Sequence, residues 1–228
     1  MPSILLFGKD HHQLAPIIKK LGFAVTEASP DFVASFGGDG TLMESEHLYP
    51  GIPKIVLKNS AICKKCSSHT NEEVLRRVIS SQYSIETMPK LEVTAHQKTL
   101  TALNDIILHN QNPRHAIRYA LTVNDAPVGS EIIGDGIVVA TPFGSSAYYR
   151  SITDSFFELG IGLAFNNSTE QSDHMVLKEQ SVIKIRIIRG PAVIYADNQK
   201  EEIPLVVHDE AIIRLGTQTA KIVIPNSS

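Results

Sequence analysis

The chain has 228 residues, 43% of them hydrophobic, and a formal charge of -3 from 21 basic and 24 acidic side chains. That apolar content can core one large domain or two smaller ones, and the scattered basic residues of a slightly acidic chain argue against nucleic acid or an anionic membrane as partner. No run approaches the roughly 18 consecutive apolar residues of a membrane span, MPSILLFGKDHH lacks the form of a signal peptide, and two cysteines without one fit a reducing, cytoplasmic setting.

In chain order, Ser3–Phe7 (SILLF) is a short apolar run closed by Gly8 and reads as a buried strand. Asp10 with Gln13 three residues on has the form of a helix cap; Leu14, Ile17, Ile18 and Leu21 follow at helical spacing, and Gly22 supplies the stop. Strands are expected over Phe23–Thr26, Phe32–Phe36 and Pro53–Leu57, with helices over Leu42–Leu48 and Glu72–Ser80. This alternation implies a parallel sheet with right-handed crossovers.

From about Pro89 the rhythm changes to short β segments: Leu91–Ala95, Thr101–Leu108, Ile117–Val123, Ile183–Ile187, Val193–Ala196, Ile203–Val207, Ala211–Leu215 and Ala220–Ile224. Asn124-Asp125-Ala126-Pro127 supplies turn chemistry between two of them. The expected fold is an α/β N-terminal domain over residues 1–89, followed by a mostly β, sandwich-like domain over 90–228 whose last strands could pack back on the first.

Three segments carry the chemistry. The first is Gly37-Gly38-Asp39-Gly40-Thr41, directly after a buried strand. Glycines permit a sharp turn and positive φ, and a helix starting at Thr41 would aim unpaired N–H groups into it, forming an anion site. A carboxylate beside phosphate oxygens is repelled unless a cation or a proton transfer involves it, so Asp39 fits a group that takes a proton from an attacking hydroxyl or helps hold Mg²⁺. A plain turn residue or helix cap is the bland alternative. The second segment is Asn104-Asp105, an amide beside a carboxylate that can bracket a sugar diol, or simply a solvated turn. The third, GDGIVVATPFGSSAYY at 134–149, offers small residues such as Gly144 and Ala147 that let a planar base approach the backbone, the hydroxyls of Ser145 and Ser146 to bond its edge, and Tyr148 to stack or bond with a ring. Its alternative is a bulged corner with a short capped helix.

In this order the three segments resemble those of the NAD kinase family, with its GGDGT loop, mid-chain Asn-Glu pair and DG-apolar-TPTGSTAY run. The resemblance implies a two-domain NAD kinase-like fold with the active site between the domains, partly shared across the interface of a homodimer or homotetramer. It implies a kinase that phosphorylates the adenosine 2′-hydroxyl of NAD with ATP (or polyphosphate) and Mg²⁺. Asp39 would be the catalytic residue, and Gly37, Gly38, Gly40 and Thr41 would face the phosphates. Asn104, Asp105, Asp135, Ser146, Ala147 and Tyr148 would hold NAD, with Asp135 and Tyr148 toward the nicotinamide half.

The chain also departs from the family. Asp105 stands where Glu is usual, Phe143 precedes Gly144 in place of a small residue, residues 55–66 lack the usual glycine-rich run, and Asp197-Asn198-Gln199 replaces Asp-Gly-Gln, with Asn198 able to take the positive φ. A dinucleotide-binding protein with weak or no turnover is therefore the alternative, and a lipid or small-alcohol kinase sharing the GGDGT loop a third reading. Cys63-x-x-Cys66-x-x-His69 has metal-like spacing but no second cysteine pair; an ordinary lysine-rich loop is the expectation, with metal or redox chemistry as lesser alternatives.

Overall fold

In the computed structural model, which describes residues 1–59, 62–169 and 173–226, the chain divides into two units, Met1–Met88 with Gln218–Ser228 and Pro89–Thr217. The elements run β1 (Ser3–Phe7), α1 (Ala15–Leu21), β2 (Ala24–Val25), β3 (Phe32–Gly37), α2 (Asp39–Leu48), β4 (Lys54–Lys58) and α3 (Asn71–Ile79). Then follow β5 (Tyr83–Ala95), β6 (Lys98–Ala102), β7 (Asp105–Asn110), β8 (Ile117–Val123), β9 (Ala126–Gly134) and β10 (Gly136–Ala140). The last are α4 (Tyr148–Thr153), β11 (Ile161–Asn166), β12 (His174–Leu177), β13 (Ile183–Arg189), β14 (Ala192–Ala196), β15 (Glu202–Leu205) and β16 (Glu210–Pro225).

In the first unit, continuous apolar runs make strands buried on both faces, the mark of a parallel sheet. Its order is β2-β1-β3-β4, joined by the end of β16, where Ile222 lies opposite Lys54. Ile18 of α1 and Val74, Leu75 and Val78 of α3 pack with Ile4, Phe36, Leu57 and Val223 of the strands. The helix α3 opens with a reciprocal cap: the Thr70 hydroxyl accepts from the Glu73 N–H, and the Thr70 N–H donates to Glu73 Oε2 at 2.7 Å.

The expected Asp10 cap does not form. Asp10 takes a left-handed conformation (φ 62°) without a side-chain cap bond, and a 3₁₀ turn over His11–Leu14 precedes α1. Pro16 explains the delay, because a residue without an N–H fits the first turn of a helix and not its interior. Gly22 does end α1, with φ 84°. The helix after the glycine turn starts at Asp39 rather than at Thr41 or Leu42. Beneath it, fully buried Lys54 donates to Glu46 Oε2 at 2.6 Å and to the carbonyls of Tyr49 and Ile52 at 2.7 Å each, tying α2 to the start of β4.

The second unit is a two-layer β structure. One sheet is antiparallel in the order β12-β11-β10-β7-β14-β15; the other runs β16-β13-β8-β9, with the hairpin β5–β6 beside it. Alternating residues build a shared core: Ile106 and Leu108, Ile137 and Val139, and Leu163 pack with Tyr119, Leu121, Ile183, Ile185 and Ile187. Lys184 and Arg186, between those isoleucines, are exposed. Asn124 and Asp125 join β8 to β9 with φ 52° and 63°, the paired left-handed turn that matches strand twist.

Three expectations change here. The segment 101–108 breaks into β6 and β7 with Leu103 and Asn104 between them, because those two backbones bond to a side chain instead of a strand. Ala211–Leu215 and Ala220–Ile224 fuse into one 16-residue strand across a polar stretch that reads as a turn. Strands β9, β11 and β12 were not anticipated: β9 is partly exposed, β12 is mostly half-buried, and β11 is an unalternating apolar run. Among the described residues no helix is long and apolar enough to cross a membrane.

Candidate active site

In the first unit, β3 delivers Gly37 to the tip of the sheet, and Gly38, extended at φ -118°, caps α2. Positive φ, expected of these glycines, is found at none of Gly37, Gly38 and Gly40. Gly37 is required by close approach instead: a Cβ there would lie 2.7 Å from Thr41 Cβ and closer still to its hydroxyl. Thr41 and Leu42 donate their N–H groups back to the Gly38 carbonyl at 3.0 and 3.2 Å. Asp39 is thus the first residue of α2, where the N–H ends of the helix favour a negative charge.

The Asp39 carboxylate is met by a loop some 25 residues further along. The Lys65 N–H donates to Oδ1 at 3.0 Å and the Lys64 N–H to Oδ2 at 3.3 Å. Burial pushes the Lys65 ammonium below the usual lysine range, while Asp39 pulls it back up. Cys63 and Cys66 are joined in a disulfide, so the stretch is a cross-linked loop and not the ordinary one expected, and neither sulfur is a thiolate ligand. Cys63 Sγ lies 3.4 Å from Asp39 Oδ1, a contact without a shared proton, since a disulfide sulfur has none to give. Residues 60 and 61 of the departing stretch 55–66 lie outside the described residues. Among the described residues no group of three or more His, Cys, Asp or Glu is placed to hold a metal ion.

In the second unit, Asn104 and Asp105 stand at the entry to β7, each 5% exposed. Asn104 Oδ1 is buried without a hydrogen-bond partner. Burial, and secondly the charge of Asp197, push the Asp105 carboxyl up to about 7. The third segment lies directly against this pair. Thr141 donates its N–H to the Asn104 carbonyl at 2.9 Å and its hydroxyl to the Leu103 carbonyl at 2.6 Å. A Cβ on Gly144 would lie 2.5 Å from Cα and C of Asn104, so only glycine permits the contact.

Gly144 receives the Ala147 N–H at 2.8 Å, and Ala147 leads into the short helix α4, whose first residue is Tyr148. Ser146, Ala147 and Tyr148 are half-buried along this corner, as is Phe143 before it. The Tyr148 hydroxyl accepts from Asn166 Nδ2 at 3.3 Å. Asp135 is braced on both oxygens, by Asn110 Nδ2 at 2.9 Å and Asn167 Nδ2 at 3.0 Å. Asn104, Asp105, Ser146 and Ala147 thus sit on elements joined through Thr141 and Gly144, while Asp135 and Tyr148 are each held by asparagines at the ends of β7 and β11. Sequence reasoning missed the backbone donors of Lys64 and Lys65 and the braces Asn110 and Asn167, whose partners lie 25 to 32 positions away.

Comparison with known proteins is consistent with this construction. The model of the ATP-NAD kinase C-terminal domain matches residues 103–224, more than half of the chain. An NAD kinase of Methanothermobacter thermautotrophicus is 26% identical over 91% of this chain and 76% of its own length. One of Sulfurisphaera tokodaii is 32% identical over 67% of this chain and 59% of its own. The crystal structure of an Archaeoglobus fulgidus NAD kinase in complex with ATP superposes with TM-score 0.81 at 21% identity, covering 97% of this chain and 93% of that one. Yeast NADH kinase complexed with NADH gives 0.83 at 18%, covering 100% and 84%. The chain belongs to the NAD kinase family, a family of enzymes that phosphorylate NAD.

Proposed function

We propose that the protein transfers the γ-phosphoryl group of ATP, brought with Mg²⁺, to the adenosine 2′-hydroxyl of NAD, giving NADP. The observation that carries the dinucleotide half is the Asn104–Asp105 pair: a buried amide oxygen without a partner beside a buried carboxyl, a costly arrangement unless a ligand supplies the missing donors. A ribose diol supplies them. In this reading Ser146 and Ala147 border the adenine, and Asp135 and Tyr148 meet the nicotinamide half.

The glycine turn serves the donor phosphates, with Gly37, Gly38, Gly40 and Thr41 as its backbone. Asp39 accepts the proton of the 2′-hydroxyl as it attacks; two loop amides occupy one lone pair on each oxygen and leave acceptor capacity for the substrate. Phosphoryl transfer asks the protein mainly for positioning and charge neutralisation. Bound with ATP, Mg²⁺ would supply the latter on the phosphates and would need only a carboxylate or two from the protein; Asp39 would be the carboxylate in the turn to meet it. Homo-oligomeric assembly and a cytoplasmic setting belong to the same proposal.

The test is incubation of the purified protein with NAD, ATP and Mg²⁺, with product read by an NADP-specific dehydrogenase. NADP formation supports the proposal. No product, with NAD still raising the thermal midpoint, contradicts it and leaves a binding protein.

A further inference from the structure

We propose that Asp197 is a positioning residue for the dinucleotide: its carboxylate holds the Leu103–Asp105 backbone so that the Asn104 and Asp105 side chains meet the sugar. The inference rests on the function proposed above and adds a residue to it.

Asp197 lies just beyond β14 in a left-handed conformation, φ 48°; the positive φ expected of Asn198 falls on Asp197 itself. Its Oδ2 accepts the Leu103 N–H at 2.7 Å, and its Oδ1 accepts those of Asn104 at 2.8 Å and Asp105 at 3.2 Å. Its own N–H donates to the Asp105 carbonyl at 3.0 Å. The Leu103 and Asn104 donors stand in the gap between β6 and β7, where no strand pairs with them, and buried N–H groups must be paired somewhere. A carboxylate taking three of them makes charge-assisted bonds, the stronger kind. Gln199, two residues on, extends the clamp by donating to the Thr101 carbonyl at 2.6 Å.

From the other side, Thr141 holds the carbonyls of Leu103 and Asn104. Backbone 103–105 is thus fixed by two elements, through its N–H groups and its carbonyls, while the Asn104 amide oxygen is left unpaired. A turn that served the fold alone would have no use for that orphan.

Asp197 also sets the state of Asp105. Its charge adds to burial in holding the Asp105 carboxyl toward the neutral form, which can donate as well as accept. Asp197 is the charged group facing Asp105; burial pushes the Asp197 carboxyl up, while its three N–H partners and then the charge of Lys90 on β5 pull it back down.

The experiment compares wild type, Asp197→Asn and Asp197→Ala. Asparagine keeps the shape and tolerates the left-handed backbone, so that variant folds. It keeps one acceptor oxygen and removes the charge. Hydrogen bonds to charged groups predict a rise in the KM for NAD of about tenfold for Asn and more for Ala, with kcat and the KM for ATP within about threefold of wild type. The pH midpoint of the KM for NAD moves to lower pH in Asp197→Asn, because Asp105 has lost a neighbouring negative charge. A purely structural role would not raise the KM for NAD while sparing that for ATP. An unchanged KM for NAD, parallel rises for NAD and ATP, or a fixed midpoint overturns the proposal. If wild type makes no NADP, the function proposed above fails instead; the NAD-induced rise in thermal midpoint, compared between wild type and Asp197→Asn, still tests Asp197, and an equal rise overturns its role.

Discussion

Burial of Asp105 couples the stability of the fold to pH. Its folded pKa of about 7 lies above the value of 3.8 expected in an unfolded chain. Below about pH 4 the group is protonated in both states and has no effect. Between about 4 and about 7 the unfolded chain ionises first, so stability falls as pH rises, at up to about 1.4 kcal/mol per pH unit, and then levels off. Urea midpoints from pH 4.5 to pH 8 will therefore decline less steeply in Asp105→Asn than in wild type; parallel curves would contradict the assignment. Lys54 offers a second residue-scale prediction. Its ammonium and the Glu46 carboxylate are buried together, so Lys54→Met removes the glutamate's countercharge and costs about 3–5 kcal/mol by urea unfolding, much of it recovered by adding Glu46→Gln. A loss below about 1 kcal/mol in the single variant would mean that the pair is not desolvated. Neither effect was legible in the sequence, because each depends on burial. Asp39 was legible as a candidate, since a carboxylate among glycines after an apolar run invites a chemical explanation; its partners in the 63–66 loop were not, being distant in the chain.

At the scale of elements, the junction of β7 with the 141–148 corner carries the proposed dinucleotide site. Gly144→Ala would drive a methyl group into the Asn104 backbone, which is held by Asp197 and Thr141 and has no room to yield. The variant is expected to lose stability and, where it folds, to show the KM for NAD raised about tenfold or more with the KM for ATP little changed. Equal effects on both substrates would contradict that division. Periodicity revealed the strands of the sandwich where one face is buried, as in β8 and β13. It failed where pairing follows other rules: β6 and β7 are separated by a side chain that replaces a strand partner, and β16 runs through polar residues. The reciprocal Thr70–Glu73 cap of α3 was not anticipated, and the Asp10 cap was a false match undone by Pro16.

For the whole molecule, the two units hold separate shares of the proposed chemistry. The first carries the glycine turn and Asp39; the second carries the buried Asn104–Asp105 pair proposed to meet NAD. The order of the three motifs made the family legible, although short glycine motifs alone recur by chance, and the fold of known NAD kinases accommodates this chain at about one-fifth identity. The departures at Asp105, Phe143 and residues 55–66 are compatible with that fold. The central claim, that Asp39 acts on the reacting hydroxyl, is tested most directly by comparing NADP formation in wild type and Asp39→Asn. The account predicts a fall in kcat of about 10²-fold or more, with the KM for NAD and the NAD-induced thermal shift retained; turnover within a few-fold of wild type would contradict it.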